Sequence, residues 1–425
     1  MNRVSSRRAV RSLAWLALTA VFAMQTATAA TPPAKHHRHR RRTAAAAHTT
    51  AASSAASGSV AHTTTRAGVI HTNVALTAVT TRRRVRHRVY FNPWTEPTYA
   101  DSTIGDNIDG EDLVVRKAAV DALGPYNGSV VVADPQNGRI LSIVNQKLAL
   151  KGAFQPCSTV KMMVSLASLS EGIVNPDKPL RITRRYSMDM TQALAHSNNL
   201  YFARLGQELG FDRVEKYSKL FGYGEKAGLD IPGEEPGFLA DEPPKTGVGM
   251  MTSFGDGIRV TPLELTSIVT AIANGGTMYY LQYPKNQEEV EKFVPRIKRE
   301  LDIRNLVSEI KPGMMGAVEY GTARRANYDP TEPVFGKTGT CTDTTQPGVH
   351  LGWFGSFNDV GNRKLVVVVL LTGGRGVAGP IAAGVAGNVY RNLSLQHYFA
   401  PAQPPMLPAA MVSMQDSLVQ KALLQ

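Results

Sequence analysis

The sequence has 425 residues, 43% of them hydrophobic, and two cysteines; it is long enough for one large domain or two ordinary ones, and a disulfide-rich scaffold or a four-cysteine metal site is excluded. Of the 47 lysines and arginines, 15 fall in residues 1–90, which hold no aspartate or glutamate, so the rest of the chain carries 32 basic against 34 acidic residues. The net charge of +13 belongs to the N-terminal tail, and the body is not read as a nucleic-acid-binding domain.

In chain order, residues 1–29 read as an export signal. Arg3, Arg7, Arg8 and Arg11 precede an apolar run, Leu13 to Met24, and Ala27-Thr28-Ala29 fits a small-x-small cleavage site. If the signal is not cleaved it anchors the chain to the membrane. Residues 30–111 are expected to form a disordered basic spacer, rich at first in Ala, Thr, His and Arg, with too little apolar surface to offset its ordering entropy. His36, His37 and His39 lack acidic partners and read as part of that solvated spacer, not as metal ligands.

A folded domain is expected over 112–398 and an appendage over 399–425. Ser129 to Ala133 and Arg139 to Val144 are β-branched runs around an Asn-Gly turn signal, which predicts a hairpin. Ser158 to Leu169 has helical spacing. Helix-like stretches broken by Gly and Pro fill 185–275. Val334 to Cys341, Leu351 to Phe357 and Leu365 to Leu371 predict three more strands, and Ile381 to Leu393 a closing helix. That order suggests an α+β fold, an antiparallel sheet interrupted by a helical insertion.

Three motifs carry the chemistry: Ser158-Thr159-Val160-Lys161, Ser197-Asn198-Asn199 and Lys337-Thr338-Gly339-Thr340. Each has decoys or trivial readings. Ser308-Glu309-Ile310-Lys311 repeats the first and Lys245-Thr246-Gly247 the third. Lys311 meets Pro312, so no helix is expected to continue from Ser308; Lys245 follows two prolines and opens no apolar run. At the chosen positions, Ser158 starts a helix and Lys161 lies one turn on, on the same face. A serine hydroxyl needs a base to become a nucleophile, and a lysine in an apolar site near another cation can be that base. Ser197 and Asn199 are expected in a loop between helices, although a helix cap alone explains that triplet. Lys337 with the hydroxyls of Thr338 and Thr340 suits a carboxylate, and Gly339 allows close approach at a strand edge that offers N–H groups to an oxyanion.

S-x-x-K, S-x-N and K-T-G together resemble the signature of penicillin-binding proteins and class A β-lactamases. The likeness extends to the hairpin VVVADPQNGRILSIV (130–144), to Ser253-Phe254-Gly255-Asp256-Gly257 with Val260-Thr261-Pro262-Leu263-Glu264, to AIANGG (271–276), and to Val349-His350-Leu351-Gly352-Trp353-Phe354. The chain is identified as similar to the penicillin-binding transpeptidase domain over roughly 115–395. The resemblance implies a β-lactamase/transpeptidase-like fold, a five-stranded antiparallel sheet with flanking helices plus an all-helical subdomain. It implies a D,D-transpeptidase or D,D-carboxypeptidase acting on peptidoglycan stem peptides and inhibited by β-lactams, without cofactor, metal or nucleic acid. By motif, Ser158 is the nucleophile, Lys161 its base, Ser197 the proton relay and Asn199 the amide clamp; Lys337, Thr338, Gly339 and Thr340 bind the terminal carboxylate. A partner glycosyltransferase is left open. Asp256 stands where the family pattern has Gln and is treated as tolerated.

Cys157 precedes the nucleophile and Cys341 follows K-T-G-T. Strand alternation puts Lys337, Gly339 and Cys341 on one face, and class A serine carbapenemases carry a disulfide at the matching positions, so a Cys157–Cys341 bond is expected in an oxidising compartment. Two alternatives stay in view. A serine β-lactamase would need a glutamate to activate water, and no E-x-x-L-N segment lies between Asn199 and Lys337; Glu234-Glu235-Pro236-Gly237 does not fit. A non-catalytic sensor or binding protein would not need intact motifs.

Overall fold

Strands covered on both faces read as unbroken apolar runs, and such runs form the centre of this molecule. The computed structural model of the chain describes residues 97–400, except 177, 328, 347, 361 and 362. The expected signal segment, residues 30–96 and the chain beyond 400 lie outside the described residues. The strands are β1 (Gly128–Ala133), β2 (Ile140–Val144), β3 (Leu180–Thr183), β4 (Tyr186–Met188), β5 (Val334–Thr342), β6 (His350–Asn358) and β7 (Val366–Gly373), besides two small two-stranded pairs. Five of them make one sheet in the order β2-β1-β7-β6-β5, every neighbouring pair antiparallel. β1, β2 and β7 are buried along their whole length.

The main helices are α1 (Leu113–Leu123), α2 (Lys161–Ser170), α3 (Met190–Ala195), α4 (Asn199–Leu209), α5 (Phe211–Leu220), α6 (Val248–Phe254), α7 (Pro262–Asn274), α8 (Arg304–Glu319) and α9 (Gly379–Leu395). α1 and α9 cover one face of the sheet, where Val115, Ala119, Val389 and Leu393 pack on Val130, Val132, Val367 and Val369. The other face, with Trp353, Val366, Val368 and Leu370, packs on α7 and on a layer of helices holding Met163, Leu166, Leu194, Phe202 and Met314. α7 begins where its sequence says it should. Thr261 accepts from Glu264 N at 3.0 Å while the Glu264 carboxylate takes Thr261 N at 2.7 Å, with Pro262 in the first turn.

Two expectations change. Residues 97–111, expected to belong to the spacer, are part of the described fold. The segment 106–112 caps the free edge of β2: Asp112 N donates to Leu141 O at 2.9 Å, and the buried Glu111 carboxylate accepts from Ile143 N and Ser142 Oγ, each at 2.8 Å. Arg116 locks it with contacts of 2.8 Å to Asp106 and 2.7 Å to Ile143 O. Composition hid this because the stabilising groups are polar, and edge satisfaction, not apolar burial, orders them. Second, α8 runs through Pro312. Proline inside a helix costs about 3 kcal/mol, but Val307, Ile310, Met314 and Ala317 are buried on both sides of it, which outweighs that. Ser308 is exposed there and bonds Asn305 O, while Lys311 pairs with Asp359 at 2.7 Å. The second S-x-x-K is thus a surface feature of a helix, not a helix that fails to form. No helix among the described residues is long and apolar enough to cross a membrane.

Candidate active site

Ser158 lies in a 3-10 turn, Cys157–Val160, that feeds directly into α2. Cys157 has φ 51° there, a strained value for a residue with a β-carbon. Several contacts fix this turn. Trp353 Nε1, wholly buried, donates to Gln155 O at 2.9 Å, and Gln155 Nε2 donates to Phe254 O at 3.0 Å. Cys157 and Cys341 are joined by a disulfide with their Cα atoms 5.7 Å apart. Gly339 lets the edge strand β5 come close: a Cβ there would sit 2.9 Å from Pro156 O and 3.2 Å from Thr159 Cγ2. Gly255, left-handed at φ 72°, plays the same part from the other side, where a Cβ would meet Pro156 Cγ at 2.4 Å.

Lys161 is fully buried and its amine meets Ser197 O at 2.9 Å, Ser197 Oγ at 3.1 Å and Asn199 Oδ1 at 2.5 Å. The first two motifs therefore converge. Burial, and behind it the positive charge of Lys337, pushes the Lys161 ammonium down to about 6. Lys337, also fully buried, is pushed down to about 7 by desolvation alone and donates to Thr338 O at 3.1 Å. The Ser158 hydroxyl, almost buried, points to Ser253 O at 3.4 Å. Among the described residues no carboxylate bonds to Ser158, Lys161, Ser197, Asn199 or Lys337; Glu234 is committed to Ala227 N and Gly228 N.

Some placements differ from the sequence reading. Asn199 is not in the loop: it is the first residue of α4, and Asn198 is the cap, accepting from Tyr201 N at 2.9 Å. Ser197 alone holds the turn, with φ 55°. Thr338 and Thr340 do not converge with the Lys337 side chain. Strand alternation sends them to the opposite face, where Thr338 Oγ1 lies 2.6 Å from Thr322 Oγ1 and Thr340 Oγ1 accepts from Gly379 N at 2.8 Å. Thr322 and the Ser253 carbonyl are site groups that the motifs did not flag. Ser253 sat in a stretch noted for its resemblance, but a backbone carbonyl leaves no residue-type signal. Asp256 is engaged by Thr246 Oγ1, so the second K-T-G serves to hold the loop carrying Gly255.

The model of the penicillin binding protein transpeptidase domain matches residues 128–391, and the protein belongs to that family. It is 29% identical over 319 residues to stage V sporulation protein D of Bacillus subtilis, covering 63% of this chain and 49% of that one. It is 24% identical over 357 residues to the peptidoglycan D,D-transpeptidase MrdA of Haemophilus influenzae, covering 64% and 54%. The chain thus spans about half the length of these relatives. Among solved structures, Pseudomonas aeruginosa PBP2 in complex with WCK 5153 superposes with a TM-score of 0.57 at 21% identity, covering 69% of this chain and 78% of that one. This likeness is one of fold.

Proposed function

We propose that this protein is a penicillin-binding D,D-transpeptidase of the cell envelope, acting on peptidoglycan stem peptides through an acyl-enzyme on Ser158. One observation carries the reading: a lysine amine buried beside a second lysine, held by Ser197 and Asn199, one helical turn from a nearly buried serine. An amine with its proton affinity lowered to about 6 is largely free base near neutral pH. As a free base its two N–H groups serve Ser197 O and Asn199 Oδ1, and its lone pair then faces the Ser197 hydroxyl at 3.1 Å, the path by which a proton is received and passed on.

Ser158 Oγ attacks the carbonyl carbon of the penultimate residue while its proton passes to Lys161 Nζ. The oxyanion is met by the N–H groups of Ser158 and Thr340, the latter on the edge strand β5. The C–N bond breaks as the proton moves through Ser197 to the leaving amine. An acceptor amine then attacks the ester and hands its proton back along the same path; water in its place would give the carboxypeptidase outcome. Lys337 supplies charge for the terminal carboxylate. Residues 1–29, read from the sequence as an export signal, fit a substrate outside the cytoplasm, and the Cys157–Cys341 bond fits an oxidising compartment. That no carboxylate among the described residues bonds to these site groups favours this reading over a β-lactamase, which must activate water quickly.

Mass spectrometry of the intact protein with a penicillin tests it. We expect a stable adduct on the native chain and none on Ser158→Ala. An adduct that clears within seconds while penicillin is consumed would make it a β-lactamase, and no adduct on either protein would remove Ser158 as the nucleophile.

A further inference from the structure

The folded body is close to neutral, yet one element of it is strongly cationic. The hairpin β3–β4 runs through residues 178–188, which contain Lys178, Arg181, Arg184 and Arg185 and no carboxylate. All four are exposed, and none has an ion-pair partner among the described residues. The hairpin is not a loose loop. Leu180, Ile182 and Met188 pack against the helical core while Arg181 and Thr183 alternate outward, the pattern of a strand pair with one wet face. Leu180 pairs with Met188 and Thr183 with Tyr186, which leaves Arg184 and Arg185 as the two-residue tip. Such tips ordinarily take Asn-Gly because they need positive φ; neither arginine here adopts it. Turn chemistry therefore does not account for a pair of arginines at that place, and like charges side by side repel unless an anion comes between them.

We propose that this hairpin is a docking surface for the carboxylate groups of peptidoglycan stem peptides, which it holds while one stem enters the active site. The proposal rests on the function read above. Exposed guanidinium groups suit carboxylates through two parallel hydrogen bonds. The position fits as well. The end of the hairpin passes through Asp189, the cap of α3, into a helix of 6 residues that delivers Ser197. Tyr186 to Asp189 at about 3.4 Å each and a helix of about 9 Å put the tip within about 23 Å of Ser197 along the chain, a gap that about seven extended residues bridge. Stems neighbouring the reacting one thus come within reach of the tip. Tyr186, 44% exposed beside them, adds a flat apolar surface.

The test uses the full chain, wild type and with Arg181→Gln, Arg184→Gln and Arg185→Gln combined, and reads sedimentation with purified peptidoglycan at low salt. We expect the triple variant to bind about fivefold or more weakly, as three exposed ionic contacts would give. The deficit should vanish on peptidoglycan whose carboxyl groups have been amidated, and should not appear with phosphatidylglycerol vesicles. Arg→Lys at the same three positions should keep most of the binding. Equal binding by wild type and the Gln variant overturns the proposal. So does a deficit that persists on the amidated polymer or on the vesicles, the latter marking a phosphate surface instead, or a Lys variant as weak as the Gln one. Penicillin adduct formation within twofold of wild type shows that the variants are folded. If no protein acylates, wild type included, the catalytic reading falls while the sedimentation comparison still judges the hairpin.

Discussion

The two faces of the sheet are built to different ends. Behind it, α1 and α9 close an almost wholly aliphatic layer in which Ser356, 2.9 Å from Val367 O, already has its partner. In front, two lysines are as buried as any leucine, and both lose affinity for their protons. Cys157 and Ser197 hold positive φ on the same side, each at a cost of about 1–3 kcal/mol. The rear layer stabilises the fold, and the front spends part of that stability on a pre-formed site.

Paired substitutions break this comparison most sharply. Lys337→Met keeps the volume and removes a buried charge, so its Tm should hold or rise while penicillin acylation falls by about 100-fold, the scale of one removed charge-stabilising group. Leu393→Ala behind the sheet should do the reverse: a loss of about 2–5 kcal/mol in urea unfolding, with the acylation rate per folded molecule unchanged. If Lys337→Met unfolds the protein, or Leu393→Ala slows acylation, the division of labour is wrong.

A smaller effect is expected at the seam. Gly339→Ala puts a methyl 2.9 Å from Pro156 O and 3.1 Å from Trp353 Cβ. Overpacking of this kind costs about 1–3 kcal/mol, and moving β5 off the nucleophile turn should slow acylation about tenfold. Stopped-flow acylation beside a thermal melt measures both; an unaltered rate would mean that β5 does not position the turn.

The smallest effect sharpens the picture through pH. Lys161 must lose its proton to act as base, so the second-order acylation rate should rise as pH climbs through about 6. Lys337 must keep its proton to hold a carboxylate, so the rate should fall as pH passes about 7. A bound carboxylate favours the charged form of Lys337, so at saturating penicillin the falling limb should shift upward. A flat profile between pH 5 and 8 would contradict both assignments.

Much of this was legible in the linear chain. The apolar runs gave the central strands, because burial on both faces demands them. The three motifs singled out Ser158, Lys161, Ser197, Asn199 and Lys337 as candidates, because reaction chemistry restricts residue types at short spacing. The sequence also marked Cys157 and Cys341 as neighbours, through strand alternation and family resemblance. Tertiary structure decided the rest. The depressed proton affinities of the lysines come from desolvation by residues far apart in the chain. The partners of Thr338 and Ser158 are a hydroxyl on the loop after α8 and a backbone carbonyl. Polar bonds to β2 order residues 106–112, and buried side chains on both sides of Pro312 carry α8 through it. Short-range pattern records what a segment prefers and which chemistry it carries; how much water it loses, and which distant group it meets, arise only when the chain is packed.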